Sequence, residues 1–175
     1  MNEDVGKRTV GPVVSSAHLA ESGFPSLSEF EFGLILASHA FHRWMMRCMA
    51  AAGVADASVL DVLILHTVNH RGRPKKLADI CLVLSIEDTH TVSYSIKKLE
   101  GAGLVASGRA GKEKTVEITK AGREVCARYR EIRDALLVKP VGATGLDRER
   151  LSELAAMLRA LSGHYDQAAR AAASL

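Results

Sequence analysis

Aromatic residues are scarce in this 175-residue chain, with one Trp, three Tyr and four Phe making up 5% of it. So few rings, in a sequence dominated by Ala, Leu and Val, argue against a β-sandwich and for helices packed through small aliphatic side chains. Cysteine is also sparse. Cys48, Cys81 and Cys126 are odd in number, far apart and set in apolar periodic segments. That pattern excludes the paired framework of a small secreted domain and fits a reducing, cytoplasmic setting. No apolar run opens the chain as a signal core, and none later approaches the ~20 residues of a membrane span, so no membrane partner is expected. Catalytic signatures are missing too: there is no Gly-x-Ser-x-Gly elbow, no phosphate loop and no His-Glu-x-x-His. Gly101 to Ala106 spells Gly-x-Gly-x-x-Ala, but a dinucleotide site needs a strand before that motif and a helix after it, and here the order is reversed. The chain is expected to be no enzyme and to carry no cofactor.

What is present is ordinary for a folded chain, with 47% hydrophobic and 25% charged residues, enough for one domain with a core. Residues 1–25 lack helical or strand period and read as an N-terminal arm. At Ser28-Glu29-Phe30-Glu31 a capping-box match opens a long helix, with Phe30, Leu34, Ala37, Phe41, Met45, Cys48 and Ala52 at helical spacing up to Gly53. A second helix begins near Asp56 and breaks at Arg71-Gly72-Arg73-Pro74. Leu77 to Leu84 forms a two-turn helix, and Ser85 to Asp88 supplies a turn and an N-cap. From Thr89 to Ala102 the residues Val92, Ile96 and Leu99 form one stripe, leaving His90, Thr91, Tyr94, Lys97 and Lys98 to face outward. Gly103 ends that helix as a left-handed cap. Leu104 to Ser107 and Thr115 to Ile118 are β-favourable runs joined by a basic tip, a hairpin. Thr119 caps a charged helix carrying Val125, Tyr129, Ile132 and Leu136, and a last helix carries Leu151, Leu154, Leu158 and Leu161.

Helix, helix, short turn, helix and hairpin is the order of a winged helix-turn-helix. The fold expected is mainly α with a small β-hairpin. Residues 26–54 would be a dimerisation helix, 55–119 the winged helix and 120–175 C-terminal dimerisation helices. Leu77-Ala78-Asp79-Ile80, Thr91-Val92-Ser93, Leu99-Glu100-Gly101-Ala102-Gly103-Leu104-Val105 and Ile118-Thr119-Lys120-Ala121-Gly122 together resemble the signature stretches of MarR-type transcription regulators. The resemblance spans roughly residues 55–125 and implies a homodimer on a pseudo-palindromic operator in double-stranded DNA. Three differences stand out: a turn at Leu84 to Asp88 about one residue longer than usual, Tyr94 where the family often has Arg, and Lys112-Glu113-Lys114 in place of an Asp-x-Arg wing motif.

Charge supports the same reading. Residues 71–114 hold nine Lys or Arg against five Asp or Glu, while the rest of the chain sums to minus one. Such cations release phosphate counterions, and groups at base edges add sequence preference. His90, Thr91, Tyr94 and Lys98 are the expected base contacts. Lys76, Ser93, Lys97, Arg109, Lys112 and Lys114 are the expected backbone and wing contacts. The rival reading is a winged helix that binds a protein instead of DNA. Phe41, Trp44 and Met45 could line a pocket for an unknown small-molecule effector, although such a cluster is also ordinary core. The pairs His66 with His70 and His39 with His42 could chelate a metal, and Cys48 could sense oxidants; surface histidines and a buried inert thiol are the plainer readings.

Overall fold

The computed structural model describes residues 11–175 apart from 22, 112 and 146. The chain divides into two compact units, Met1–Tyr129 and Arg130–Leu175.

In the first unit, helix α1 is a single turn, Ala17–Ala20, and α2 runs over Pro25–Ala51. The long helix thus starts three residues before the expected Ser28. Pro25 has no amide hydrogen to leave unpaired in a first turn, and its fixed φ suits that position. Ser28 is therefore inside the helix, and its hydroxyl donates to the Leu19 carbonyl at 2.7 Å rather than forming a capping box. The arm expected over 1–25 accordingly contains a helical turn tied to α2; its first ten residues lie outside the described residues.

Helix α3, Val59–Asn69, opens with a complete capping box: Ser58 accepts from the Asp61 amide, and Asp61 accepts from the Ser58 amide. Its Val62, Ile64, Leu65 and Val68 are fully buried and form the centre of the core. Burial of each such side chain stabilises by about 1.5–3 kcal/mol. Around them pack Met45, Cys48 and Met49 of α2 and Cys126 and Tyr129 further on. After a short 3-10 turn, Lys75–Lys76 forms strand β1, which the sequence reading treats as plain turn. Two residues carry no period, so only their pairing with a partner strand reveals them. Helix α4 is Leu77–Leu84, and α5 is Thr89–Gly101. Gly103, at φ 70°, provides the left-handed exit expected of it.

Strands β2, Val105–Ala110, and β3, Glu113–Ile118, form the hairpin, longer on both sides than the apolar runs alone suggest. The sheet is antiparallel in the order β1-β3-β2, with Lys75 opposite Val116 and Val105 opposite Ile118. Helix α6, Lys120–Arg133, starts where the Thr119 hydroxyl accepts from the Gly122 amide and also lies 2.7 Å from the Gly103 carbonyl, to which it donates.

In the second unit, a π-turn at Asp134–Val138 leads to α7, Lys139–Ala143, and α8 spans Arg148–Ala172 with Asp147 as its N-cap. Leu151, Leu154, Met157 and Leu158 of α8 are exposed. Among the described residues, no helix is long and apolar enough to cross a membrane. The three cysteines are buried and form no disulfide, and burial pushes the Cys126 thiol up to about 11, which keeps it protonated at neutral pH.

Gly122 closes the joint between α6 and the sheet. A Cβ there would run into the Leu104 carbonyl and stand 2.6 Å from Ile118 Cδ1. In an open helix Gly→Ala gains up to about 1 kcal/mol, but here the sign should reverse. Gly122→Ala is expected to destabilise by about 1–3 kcal/mol through overpacking, seen as a lower urea midpoint at unchanged m-value. A raised midpoint would mean that the joint yields freely.

Candidate nucleic-acid interface

Helix α5 is built to present one face. Asp88 caps it, its carboxylate accepting from the amides of His90 at 2.9 Å and Thr91 at 3.4 Å and from the Thr91 hydroxyl. Those bonds, with the Thr91 hydroxyl foremost, hold the Asp88 carboxyl below its ordinary value. Val92, Ser95, Ile96 and Leu99 are buried. On the opposite side His90, Thr91, Tyr94 and Lys97 are exposed, Tyr94 by 73%, and Ser93 is half-buried between the two faces. An exposed helix face with hydroxyl, imidazole, phenol and ammonium groups offers both donors and acceptors to base edges.

Lys98 departs from this set. Its ammonium donates to Asp61 at 2.8 Å and to the Asp56 carbonyl, so it points back toward the start of α3. Asp61, with 3% of its side chain exposed, also accepts from the Ser95 hydroxyl and the Ser58 amide. Burial alone would raise the Asp61 carboxyl, but Lys98, Ser95 and Ser58 together hold it below the ordinary 3.8. The same pairing raises Lys98. Asp61 is a buried anchor of α5 that the helical pattern alone does not single out. The available signal was an acid in core phase on an otherwise apolar helix, flanked by Leu60 and Val62.

On the wing, Arg109 of β2 and Lys114 of β3 are register partners, and both are exposed. With Ser107 and Gly108 they line a shallow cavity of about 500 Å³. Lys112 lies outside the described residues. Lys76 pairs with Glu113 at 2.5 Å, which ties β1 to the wing and raises the Lys76 ammonium above its ordinary value. As both partners are exposed, the tie contributes little stability.

The three effector-pocket candidates part company. Met45 is buried, Phe41 is exposed, and Trp44 is half-buried with its Nε1 lacking a hydrogen-bond partner among the described residues. None of the three lines either described cavity. Among the described residues, no three His, Cys, Asp or Glu side chains gather where a metal ion could sit.

Comparison with known proteins places this geometry. Residues 58–122 match the family model of the winged helix DNA-binding domain. The LexA repressor of Lactobacillus helveticus is 35% identical over 72 residues, covering 40% of this chain; the chain spans only 34% of that relative's length. Among solved structures, the MarR family regulator NMB1585 of Neisseria meningitidis superposes with a TM-score of 0.63 at 22% identity, over 82% of this chain and 95% of that one. A mutant MarR of E. coli, complexed with operator DNA, gives a TM-score of 0.63 at 13% identity, over 80% and 98% of the two chains. The chain has the winged-helix fold of these regulators.

The Asp61 linkage should behave as one coupled unit. Asp61→Asn and Lys98→Met are each expected to destabilise by about 1–3 kcal/mol, and the double variant by less than their sum. Strict additivity in urea unfolding would dissolve the linkage. The pH sign follows from the depressed Asp61 value: its contribution is complete above 3.8 and is lost as pH falls through the lower folded value.

Proposed function

Proceeding from a chain with the winged-helix fold of the MarR regulators, we propose that it is a transcription regulator that binds double-stranded DNA as a homodimer on a pseudo-palindromic operator. The observation that carries this reading is the face of α5. His90, Thr91, Tyr94 and Lys97 stand exposed on a helix whose other side is buried, flanked by a wing carrying Arg109 and Lys114. A major groove about 12 Å wide admits one such helix. In this reading α5 enters the groove, His90 and Tyr94 meet base edges, and Lys97 and the wing cations lie along the phosphates. Thr91 contributes through the N-terminal turn, where its hydroxyl is already engaged with Asp88. Lys98 sets the helix through Asp61 instead of reading bases.

The homodimer is supported by apolar surface that a monomer leaves in water. On α2, Leu34, Ile35, Leu36 and Phe41 are exposed, and α8 exposes its own leucine stripe. Exposed apolar patches of this kind on long helices mark association sites. A two-fold dimer carrying two reading helices would engage half-sites about 10 base pairs apart.

The decisive experiment retains random-sequence duplexes on the purified protein across a salt series, sequences the bound fraction and measures the mass of the complex. A dimer that enriches a pseudo-palindrome, with affinity falling steeply as salt rises, is the expected result. Replacing Arg109 and Lys114 with Gln should weaken binding to every duplex and reduce the slope of log affinity against log salt by about 2. Tyr94→Ala should change preference among duplexes more than binding to random DNA. Failure to retain any duplex at low salt would replace this reading with a winged helix that binds protein.

A further inference from the structure

A second, larger cavity of about 930 Å³ is lined by the C-terminal half of α3, strand β1, α4 and, from the tip half of the wing, Ala110 and Thr115. It is separate from the face of α5: no residue of α5 lines it. Its wall has two parts. One is apolar, formed by Leu63 of α3 with Leu82 and Val83 of α4, the latter two exposed by 80% and 68%. The other is cationic, formed by Arg71, Arg73, Lys75 and Lys76, against which the described lining sets one acid, Asp79.

The cations are not equally available. Lys75 is engaged with the His70 carbonyl at 2.7 Å, and Lys76 with Glu113. Arg71 and Arg73 have no ion-pair partner among the described residues. Burial, followed by the nearby Arg73 and Arg71 charges, lowers the Lys75 ammonium. His66 also lines it, and its Nε2 is buried without a hydrogen-bond partner among the described residues. Such an atom costs free energy until something pairs with it. Arg71 sits in the left-handed region at φ 62°, a conformation rare for a side chain of its size. Residues held in such conformations gather at binding sites.

We propose that this groove binds a small organic anion with an apolar body, its oxyanion head held by Arg71 and Arg73 and its body laid on Leu63, Leu82 and Val83. Guanidinium groups suit an oxyanion because their planar donors can bond it in pairs. The apolar wall argues against the phosphate backbone of DNA as occupant, since that backbone offers nothing to cover two exposed aliphatic side chains on α4. The volume lies in the range of small-molecule sites. The inference stands on the groove alone and does not require the DNA-binding reading.

Decanoate is a suitable probe, with decanol as its uncharged counterpart, titrated into the full chain and followed by methyl NMR. Saturable shifts centred on the methyls of Leu63, Leu82 and Val83 are expected, with decanol binding at least about tenfold more weakly. Shifts confined to α2 or α8, or equal affinity for decanol, would overturn the proposal. The variant Arg71→Asn with Arg73→Gln places Asn where a positive φ suits it, changes two exposed residues, and should weaken decanoate about tenfold. Random-duplex binding by the same variant separates the alternatives. If DNA affinity falls while decanoate affinity is unchanged, the groove is a phosphate track and the proposal fails. If decanoate is lost and DNA affinity holds, the anion site stands apart from the DNA face. Decanoate binding by a wild-type chain that retains no duplex would leave this site intact and overturn only the DNA reading.

Discussion

The bonds converging on Asp61 set where the exposed face of α5 points. A carboxylate with only 3% of its side chain exposed must be compensated, and Asp61 receives three kinds of donor from two helices: the Ser58 amide at the head of α3, and the Ser95 hydroxyl and Lys98 ammonium from α5. Ser95 and Lys98 are three residues apart, so they lie on the same side of their helix. An apolar stripe such as Val92, Ile96 and Leu99 holds a helix against a core but tolerates small rotations and slides. Directional bonds from two positions about one turn apart do not, because hydrogen bonds weaken steeply with misalignment. Hydrophobic replacements could match the stability of this linkage; what they would lose is the fixed rotation that keeps His90, Tyr94 and Lys97 outward.

The wing is fixed by analogous means from the other end of the unit. Thr119 links the end of α5, through the Gly103 carbonyl, to the first turn of α6, through the Gly122 amide. Gly122 lets that turn approach the Leu104 carbonyl more closely than any side chain permits. Strand β1 adds a third strand beside β3 and brings Lys76 to Glu113. Helix α5 and the hairpin are therefore held by separate joints, one polar and buried, the other built on close backbone packing.

Much of this was legible in the sequence, for reasons that differ by element. Helix α5 declares itself through Asp88 at its cap, a stripe at 3.6-residue spacing and Gly103 at its exit, three local signals that agree. The hairpin declares itself through two β-favourable runs around a glycine-rich tip. The start of α2 does not, because Ser28 and Glu31 satisfy a local motif while Pro25 and the Leu19 carbonyl decide the matter. Strand β1 is too short to have a period. The tie of Lys98 is hidden for a different reason: helix phase puts it outward, but a flexible four-carbon stem reaches Asp61, 37 positions away in sequence.

Charge shows the same limit of composition. Nine basic residues between 71 and 114 give this segment its excess, yet a count does not distinguish a cation facing solvent from one already engaged. Lys75 closes the end of α3 through the His70 carbonyl, Lys76 meets Glu113, and Lys98 holds Asp61. These three serve the fold first. Lys97, Arg109 and Lys114 remain on the face and wing that would meet a polyanion, while Arg71 and Arg73 stand on a different surface beside exposed leucine and valine. A uniform phosphate-binding patch would not divide its cations in this way or set one group against an apolar wall. The division argues for two anion-facing surfaces of different chemistry, one suited to a long polyanion and one to a small amphiphile.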